Sequence, residues 1–488
     1  MLHSLGQTSL PKGTQVSNTD LAYLPATEIR SMIAEKKVSS VEMTKLYLDR
    51  IDALDSQFNS YLTVTADLAL EMAEEADRAV ARGEDLGPLH GLPISIKDLE
   101  MTAGIRTTSG SLIFADRIAA YDSVVVERVK KAGAVILGKT NTPEYGLLGH
   151  TENRLGDHCR NPWNTERTTG GSSGGAGASV AASLCALATG SDGGGSIRIP
   201  AGFCGIYGIK PTQGRISYYL GPGADPAANL FSQPGPMTRT VEDSAVLLQV
   251  LAGRDPRDPG ALRDEPDDYV AALSKGVEGM RIGWSADLGF AAVEPEIRDS
   301  AAAGARAFED LGAVVEEIDL VLDTPFDHFW PLFTAIMYAR VASVFDDNRE
   351  KLSWYALESL ETGKNITGAE FVNALGHVDV LKSQFADAFD EYDLILTPTL
   401  ATPAFPVGEP PATIGGRDVH WFWGYTPYTM PINMIGSTAA SIPCGFSSDG
   451  LPVGLHIIGD HGAESTVFAA SAAFEEARPW IQHRPPVG

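Results

Sequence analysis

Residues 168–196, which read TTGGSSGGAGASVAASLCALATGSDGGGS, constrain the fold more than any other part of the sequence. Two glycine-rich loops that carry serines enclose a run of small, mostly apolar residues at 176–188. Because bulky side chains are nearly absent from the loops, backbone N–H groups there can approach a bound group closely. A Ser–Gly-rich linker has a similar composition, but it does not enclose an apolar run. The pattern predicts a buried segment between two loops of a catalytic centre, which carry Ser172 and Ser196.

Short apolar runs alternate with helical patterns along most of the chain, which predicts an α/β fold with a large mixed, twisted sheet sandwiched by helices. Strands are predicted at 92–97, 134–137, 205–211, 281–284, 314–318, 394–396, 439–442 and 453–458. Helices are predicted at 20–82, 123–131, 241–251, 295–311 and 464–477, and a Gly/Pro-rich loop at 218–236. We expect one domain over residues 1–488, with its core at 25–485 and a mostly helical cap inserted at 326–392.

The charge balance disfavours nucleic acids and membranes as partners. The chain has 63 acidic and 37 basic residues and a formal net charge of −26, which repels phosphate backbones and anionic lipid surfaces. Its four cysteines form no C-x-x-C pair and have no zinc-site spacing, so we expect no metal and no cofactor. The first 16 residues lack the basic and apolar regions of a signal peptide, and no apolar run is long enough to span a membrane. These features favour a cytoplasmic monomer or homodimer.

A candidate nucleophile motif lies in the first glycine loop. The sequence GSSGG at 171–175 matches G-x-S-x-G, the nucleophile elbow of α/β-hydrolases, in which Ser173 would be the nucleophile. That motif needs an apolar strand directly before it, whereas residues 161–167 are predicted to form a loop. No Gly-Lys-Ser/Thr follows the glycines, so a phosphate-binding Walker loop is excluded. The elbow interpretation, with an esterase-type reaction at Ser173, stays open as an alternative.

A lysine base is a second possibility. A serine hydroxyl is a weak nucleophile until an adjacent base takes its proton, and the ten histidines lie in no recognisable motif. Lys97 ends the apolar run 92–97, where burial would favour the neutral amine that can act as a base. The glycines before Ser196 offer successive backbone N–H groups, which suit a developing oxyanion.

Several motifs together resemble those of the amidase signature family, in family order and at family spacing. They are GLPISIKD at 91–98, GKTNTPE at 138–144, GGSSGG at 170–175, DGGGSIRIP at 192–200, GIYGIKP at 205–211, IPCG at 442–445 and GLPVGL at 450–455. The resemblance implies the amidase signature fold and hydrolysis of amide C–N bonds through an acyl-enzyme. It covers almost the whole chain, and the combination is far more specific than any single motif.

The resemblance also implies a Ser–cisSer–Lys triad. In it Ser196 is the nucleophile, Ser172 relays the proton, Lys97 is the base, and the Gly171–Ser172 peptide bond is cis. It implies an oxyanion hole formed by the backbone N–H groups of Gly193, Gly194, Gly195 and Ser196.

The substrate is less constrained than the reaction. The aromatic residues Trp421, Phe422 and Trp423, with Tyr338, are predicted to line an apolar acyl or aryl site, and core packing is an equal alternative. The chain has Gly-Ser-Thr-Ala at 436–439 where the family commonly has Gly-Gln-Pro-Ala, and His456 where Gln is common. Aryl or aliphatic amides, lactam oligomers and carbamates (urethanes) therefore all stay open as small-molecule substrates, with ester hydrolysis as a side activity. The main alternative is the glutaminase subunit of a tRNA-dependent amidotransferase.

Overall fold

The computed structural model describes residues 17–219, 221–222 and 228–487. The amino-terminal segment in which no signal peptide is predicted lies outside these residues, as does part of the loop predicted at 218–236. No helix in the described ranges is long and apolar enough to cross a membrane.

Over the residues that the structure describes, a mixed sheet of 11 strands forms the centre of the molecule. The strands are β1 (Tyr61–Val64), β2 (Pro93–Lys97), β3 (Val135–Thr140), β4 (Arg160–Asn161), β5 (Asn164–Thr168), β6 (Leu187–Asp192), β7 (Tyr207–Lys210), β8 (Gln233–Thr238), β9 (Arg281–Trp284), β10 (Val314–Glu317), β11 (Leu394–Pro398), β12 (Thr413–Ile414), β13 (Arg417–Asp418), β14 (Ala439–Phe446) and β15 (Pro452–Ile458). The large sheet has the order β1-β3-β2-β6-β8-β7-β14-β15-β11-β9-β10, while β4 with β5 and β12 with β13 form two-stranded sheets of their own. β3, β2 and β6 are parallel, as are β11, β9 and β10, and the strands between these two groups are antiparallel.

Helices pack against this sheet and form a separate group at 326–389. They are α1 (Asn18–Ala22), α2 (Ala26–Ala34), α3 (Ser40–Phe58), α4 (Ala66–Arg82), α5 (Val124–Lys131), α6 (Gly174–Ala181), α7 (Arg198–Cys204), α8 (Val241–Leu251), α9 (Tyr269–Ala272), α10 (Pro295–Asp310), α11 (Phe326–Phe345), α12 (Trp354–Asn365), α13 (Gly368–Phe389), α14 (Met430–Ile435) and α15 (Glu464–Ala477). Short 3₁₀ turns occur at Leu112–Phe114, Glu144–Gly146 and Asp346–Lys351. The predicted α/β fold with a large mixed sheet and flanking helices is confirmed.

Three local predictions were wrong. The Gly/Pro-rich loop predicted at 218–236 ends early, because its last four residues belong to β8, which pairs antiparallel with both β6 and β7. The segment 20–82 is not helical throughout, because β1 lies between α3 and α4 and pairs antiparallel with β3. Asn59 ends α3 in the left-handed conformation, with φ of 54°, and thereby redirects the chain into this strand. Residues 161–167 are not a plain loop, because β4 and β5 form a polar hairpin in a sheet of their own. That hairpin is not part of the main sheet, so Ser173 still lacks the central strand that a nucleophile elbow requires.

The order of the strands brings the two serine loops together. β2 and β6 are parallel neighbours, so Lys97 and Asp192, their last residues, lie at the same edge of the sheet. α6 begins just after the first serine loop, α7 just after the second, and the two helices pack on each other. Every residue from 168 to 192 is buried, which confirms the predicted buried segment.

The helices α11, α12 and α13 share a hydrophobic cluster with the segment 400–435. Glu144 anchors the start of α12. Its carboxylate accepts hydrogen bonds from the N–H and the Oγ of Ser353, the residue just before this helix, at 2.7 and 2.6 Å. The same carboxylate accepts a hydrogen bond from Ser111 Oγ, at 2.5 Å. The start of α12 is therefore tied to the segment that follows β3.

Candidate active site

Lys97 ends β2, and its side chain is fully buried. Its Nζ lies 2.8 Å from Ser172 Oγ and 2.8 Å from Ser173 Oγ. Ser191, which the sequence analysis did not single out, places its carbonyl oxygen 3.2 Å and its Oγ 3.0 Å from the same nitrogen. The end of β2, the first serine loop and the end of β6 therefore meet at one amine.

The surroundings of this amine favour its neutral form. Burial lowers the pKa of Lys97 to about 7, although the negative charges of Asp192 and Glu100 oppose the change. A neutral amine has two N–H donors and one lone pair. The Ser191 carbonyl and Ser173 Oγ can accept the two donors, since Ser173 directs its own proton to that carbonyl at 3.3 Å. The lone pair can then accept the hydroxyl proton of Ser172, which lies nearer than the Ser191 hydroxyl, at 2.8 against 3.0 Å, so Lys97 has the position of a base for Ser172.

Ser173 and Ser196, the two candidate nucleophiles, differ in accessibility. Ser172 is 2% exposed and Ser173 is fully buried, whereas Ser196 is only partly buried. The N–H of Ser173 donates a hydrogen bond of 3.1 Å to the carbonyl of Ser196, and this bond joins the two loops. The peptide bond between Gly171 and Ser172 is cis, so that prediction is confirmed. Ser196 is therefore the more accessible of the two, while the hydroxyl of Ser173 is engaged by Lys97 and Ser191.

Asp192 holds the shape of the second serine loop. Its Oδ1 accepts the N–H of Gly195 at 2.7 Å, and its Oδ2 accepts the N–H of Ile197 at 3.1 Å. Arg198 donates to both oxygens through Nε and Nη2, each at 3.0 Å, and the Asn433 amide donates to Oδ1 at 2.8 Å. Although burial opposes it, the Arg198 guanidinium keeps the pKa of Asp192 below its usual range, so this buried carboxylate stays ionised. Its role is to order the loop.

This arrangement refines the predicted oxyanion hole. The N–H of Gly195 is directed to Asp192, and the Gly194 carbonyl accepts a hydrogen bond of 2.8 Å from Thr429 Oγ1. Both ends of that peptide unit are therefore fixed. Gly195 has a φ of +126°, and a Cβ at this position would lie 2.2 Å from Thr429 Oγ1, so only glycine fits. The N–H groups of Gly193, Gly194 and Ser196 remain the candidate oxyanion donors.

An aromatic wall, formed by Phe329, Phe333 and Trp423, borders the second serine loop. A Cβ placed on Gly194 would lie 3.1 Å from Phe329 Cζ and 3.8 Å from Trp423 Cζ3. A Cβ on Gly193 would lie 2.8 Å from Ser232 Oγ and 3.7 Å from Phe333 Cε2. The three aromatic side chains are almost fully buried, and the Trp423 ring stands edge-on to both phenylalanines.

The four aromatic residues predicted to bind substrate occupy different positions. Trp423 belongs to the aromatic wall and contacts the loop. Phe422 is buried and packs against Trp330, with the ring centroids 5.1 Å apart, and Trp421 packs against Trp354 at 5.1 Å. Tyr338 packs against Phe345 within the helical group. Phe329 was not singled out from the sequence. It belongs to the first turn of α11, and this turn places its ring beside Gly194 of the second serine loop.

Known proteins with similar sequences and structures align with almost the whole chain. A family model described as amidase matches residues 42–468. The chain is 39% identical to a glutamyl-tRNA(Gln) amidotransferase subunit of Moorella thermoacetica, with 96% of this chain and 99% of that protein aligned. It is 36% identical to an acylamidase of Rhodococcus erythropolis, over 96% of this chain and 98% of that protein. The crystal structure of a bacterial aryl acylamidase superposes with a TM-score of 0.89 at 33% identity, covering 94% of this chain and 97% of that one.

Proposed function

The chain belongs to the amidase signature family of amide-hydrolysing enzymes, and we propose that it acts without other protein chains on amides with an aryl or other apolar acyl or amine group. Carbamates with an aryl group belong to the same substrate class, because they present a carbonyl and a leaving group of similar shape. Ser196, Ser172 and Lys97 are the catalytic triad of this proposal. The reaction passes through an acyl-enzyme on Ser196.

The observation that carries this proposal is the aromatic wall at the second serine loop. The side chains nearest to Gly193 and Gly194 are Ser232, Phe329, Phe333 and Trp423, and all of them are uncharged. A carbonyl bound at these glycines therefore has aromatic rings beside it, of which Phe333 and Trp423 keep a small exposed fraction and Phe329 keeps none. Aryl and alkyl groups gain free energy from burial against such a surface, at about 25 cal/mol per Å².

The same wall disfavours free glutamine as the substrate. Glutamine carries an α-ammonium and an α-carboxylate, and burial of either charge without a partner is strongly unfavourable. Asp192 and Arg198, which among the described residues order this loop, are fully buried and paired with each other. They are therefore not free to bind the charges of an amino acid. The similarity to an amidotransferase subunit keeps glutamine hydrolysis as the second candidate function.

The contact between Lys97 and Ser172 supports the first part of the proton path, and the transfer from Ser196 to Ser172 is part of the proposal. Neutral Lys97 takes the proton of Ser172 as Ser172 takes that of Ser196, and Ser196 Oγ bonds to the substrate carbonyl carbon. The negative charge on the carbonyl oxygen is stabilised by N–H groups of the glycine loop. The C–N bond then breaks while the proton returns through Ser172 to the departing nitrogen. Water repeats these steps on the acyl-enzyme, which releases the acid and restores Ser196.

The pH dependence of kcat/KM should report the state of Lys97. Burial lowers the pKa of Lys97 to about 7, and only the neutral amine can accept a proton. We expect kcat/KM to fall about tenfold per pH unit below pH 7 and to level off above it. Initial rates on an anilide between pH 5 and 9 measure this profile, after a control for irreversible inactivation at each pH. A flat profile across pH 7 would contradict the assignment of Lys97 as the base.

The proposed function is tested by active-site labelling together with a substrate panel. The purified chain is treated with a serine-directed fluorophosphonate, and the labelled peptide is identified by mass spectrometry. The panel contains an N-acyl p-nitroanilide, an aryl carbamate and L-glutamine, each assayed with the chain alone. We expect one label per chain, on Ser196, and turnover of the anilide or the carbamate at least about tenfold faster than glutamine.

Other outcomes separate the alternatives. Label on Ser173 would support the α/β-hydrolase interpretation instead. Glutamine hydrolysis that exceeds turnover of both aryl substrates, or that appears only in the presence of partner proteins, would overturn the proposal in favour of a glutaminase. Ser196→Ala is the matched control for labelling and should take up no label.

A further inference from the structure

His456 lies in a buried hydrogen-bond chain that ends at the second serine loop. It belongs to β15, and Thr397 of β11 is its neighbour across the sheet. Arg198 Nη1 lies 3.0 Å from His456 Nε2, and Thr397 Oγ1 lies 3.3 Å from His456 Nδ1. His456, Thr397 and Arg198 are all fully buried. Water therefore cannot replace any of these contacts without a rearrangement.

The neighbours of His456 determine which ring nitrogen carries the proton. A guanidinium can only donate, so His456 Nε2 accepts from Arg198. Thr397 directs its hydroxyl proton to the Pro398 carbonyl at 2.8 Å, so its oxygen accepts from His456 Nδ1–H. Burial, together with the charge of Arg198, lowers the pKa of His456 well below its usual value, which agrees with a neutral ring. The imidazole thus has one accepting and one donating side, each matched to its partner.

Arg198 transmits this position to the catalytic loop. Its other donors bind both oxygens of Asp192 and, at 2.6 Å, Oδ1 of Asn433. Asp192 in turn accepts the N–H of Gly195, one residue before the candidate nucleophile. We infer that His456 is a positioning residue for amide hydrolysis, which holds Arg198, and through it Asp192 and the oxyanion loop, in the orientation that the transition state needs. This inference rests on the proposed acylation of Ser196.

The chemistry of the side chain at 456 provides a sharp test. Leucine fills a similar volume but cannot accept from Arg198, which would leave a buried guanidinium N–H unpaired. Glutamine can accept from Arg198 through its carbonyl oxygen and donate to Thr397 through its amide nitrogen. A change in hydrogen bonding should therefore separate His456→Leu from His456→Gln. A general effect of repacking around residue 456 should instead impair both variants alike.

The experiment measures kcat and KM per active site, with the sites counted by fluorophosphonate labelling. For His456→Leu we expect kcat to fall on the order of 10- to 100-fold with KM within about threefold of wild type, since a misplacement of about 1 Å can lower a rate 100-fold. His456→Gln should stay within about fivefold of wild type. The inhibition constant of an aryl trifluoromethyl ketone, to which Ser196 Oγ adds to give a tetrahedral alkoxide, should rise in parallel with the loss of kcat/KM.

His90→Leu is the matched control, because His90 is also a buried histidine, with its Nε2 3.0 Å from the Ala76 carbonyl. It should lower the free energy of unfolding but leave kcat per labelled site unchanged. If His456→Leu does not fold, His456→Asn replaces it, since the shorter amide cannot reach both partners.

Two results would overturn the inference alone: undiminished kcat per site in His456→Leu (or in His456→Asn where that variant replaces it), or equal impairment in His456→Gln. A wild-type chain that neither labels at Ser196 nor hydrolyses the panel overturns the proposed function, and this inference with it.

Discussion

Replacement of Ser196 by alanine is expected to lower kcat/KM for amide hydrolysis by at least about 10⁴-fold, because the variant has no oxygen to form the acyl-enzyme. The fold should be retained, since Ser196 is only partly buried and contributes its backbone carbonyl, not its side chain, to the bond with Ser173. Rates are measured on the best panel substrate, and folding by circular dichroism and thermal unfolding. Residual activity within about 100-fold of wild type, with a contaminating wild-type enzyme excluded, would remove Ser196 as the nucleophile.

Ser173→Ala distinguishes this expectation from the nucleophile-elbow alternative. Ser173 is fully buried and contacts Lys97, so its loss should reduce activity, but by far less than the loss of Ser196. The alternative predicts the reverse order of the two variants. Ser471→Ala, a buried serine of α15 whose hydroxyl donates to the Val467 carbonyl, is the control for serine removal and should leave turnover unchanged.

The sequence was sufficient to predict contacts that are encoded within its motifs. Lys97 and Ser172 were predicted to meet, and they do so at 2.8 Å. The local rules that predict strands were sufficient for β2 but not for β6, whose small residues carry no strand signal and whose conformation depends on pairing with β2 and β8. As parallel neighbours, β2 and β6 bring their ends to one edge of the sheet. The roles of these residues in catalysis remain a prediction. Their placement, in contrast, is a consequence of the fold.

Other features of the site depend on contacts that no local pattern reveals. The orientation of the Gly195 N–H towards Asp192 depends on how Arg198 holds the carboxylate, and this in turn involves His456, 258 residues further along the chain. No motif in the sequence identified Ser191 as a site residue. Part of its contact with Lys97 is made by its backbone carbonyl, which any residue type has. The strand β1 was missed because four residues between two helices give too short an alternation, and pairing with β3 decides their conformation.

Replacement of Lys97 by methionine is expected to abolish turnover while leaving the chain folded. Methionine has a similar length and no base, so Ser172 loses its proton acceptor and Ser196 is no longer activated. We expect kcat/KM to fall by about 10⁴-fold, comparable to the effect of Ser196→Ala, because residues that act as a unit give similar losses singly. The double variant should therefore be little worse than either single one. If the fold losses in kcat/KM of the two single variants multiplied in the double variant, the two residues would act independently.

The same substitution should change the pH dependence of stability in a way that identifies the buried amine. The pKa of Lys97 is about 7 in the folded chain and 10.5 when unperturbed, so between these values unfolding takes up a proton and the wild type becomes more stable as pH rises. Below pH 7 the folded wild type carries the full penalty of burying a charge. Lys97→Met has no such penalty at any pH, and the other titrating groups are common to both chains.

The difference in unfolding free energy, Lys97→Met minus wild type, should therefore shrink by about 2–3 kcal/mol between pH 6.5 and pH 9. Urea unfolding at several pH values measures it. Lys45→Met, at an exposed position of α3, is the matched control, and its difference from wild type should not vary with pH. A difference for Lys97→Met that is equally constant would mean that the amine stays protonated when the chain folds. In that case Lys97 could not be the base, and another group in the site would have to accept the proton of Ser172.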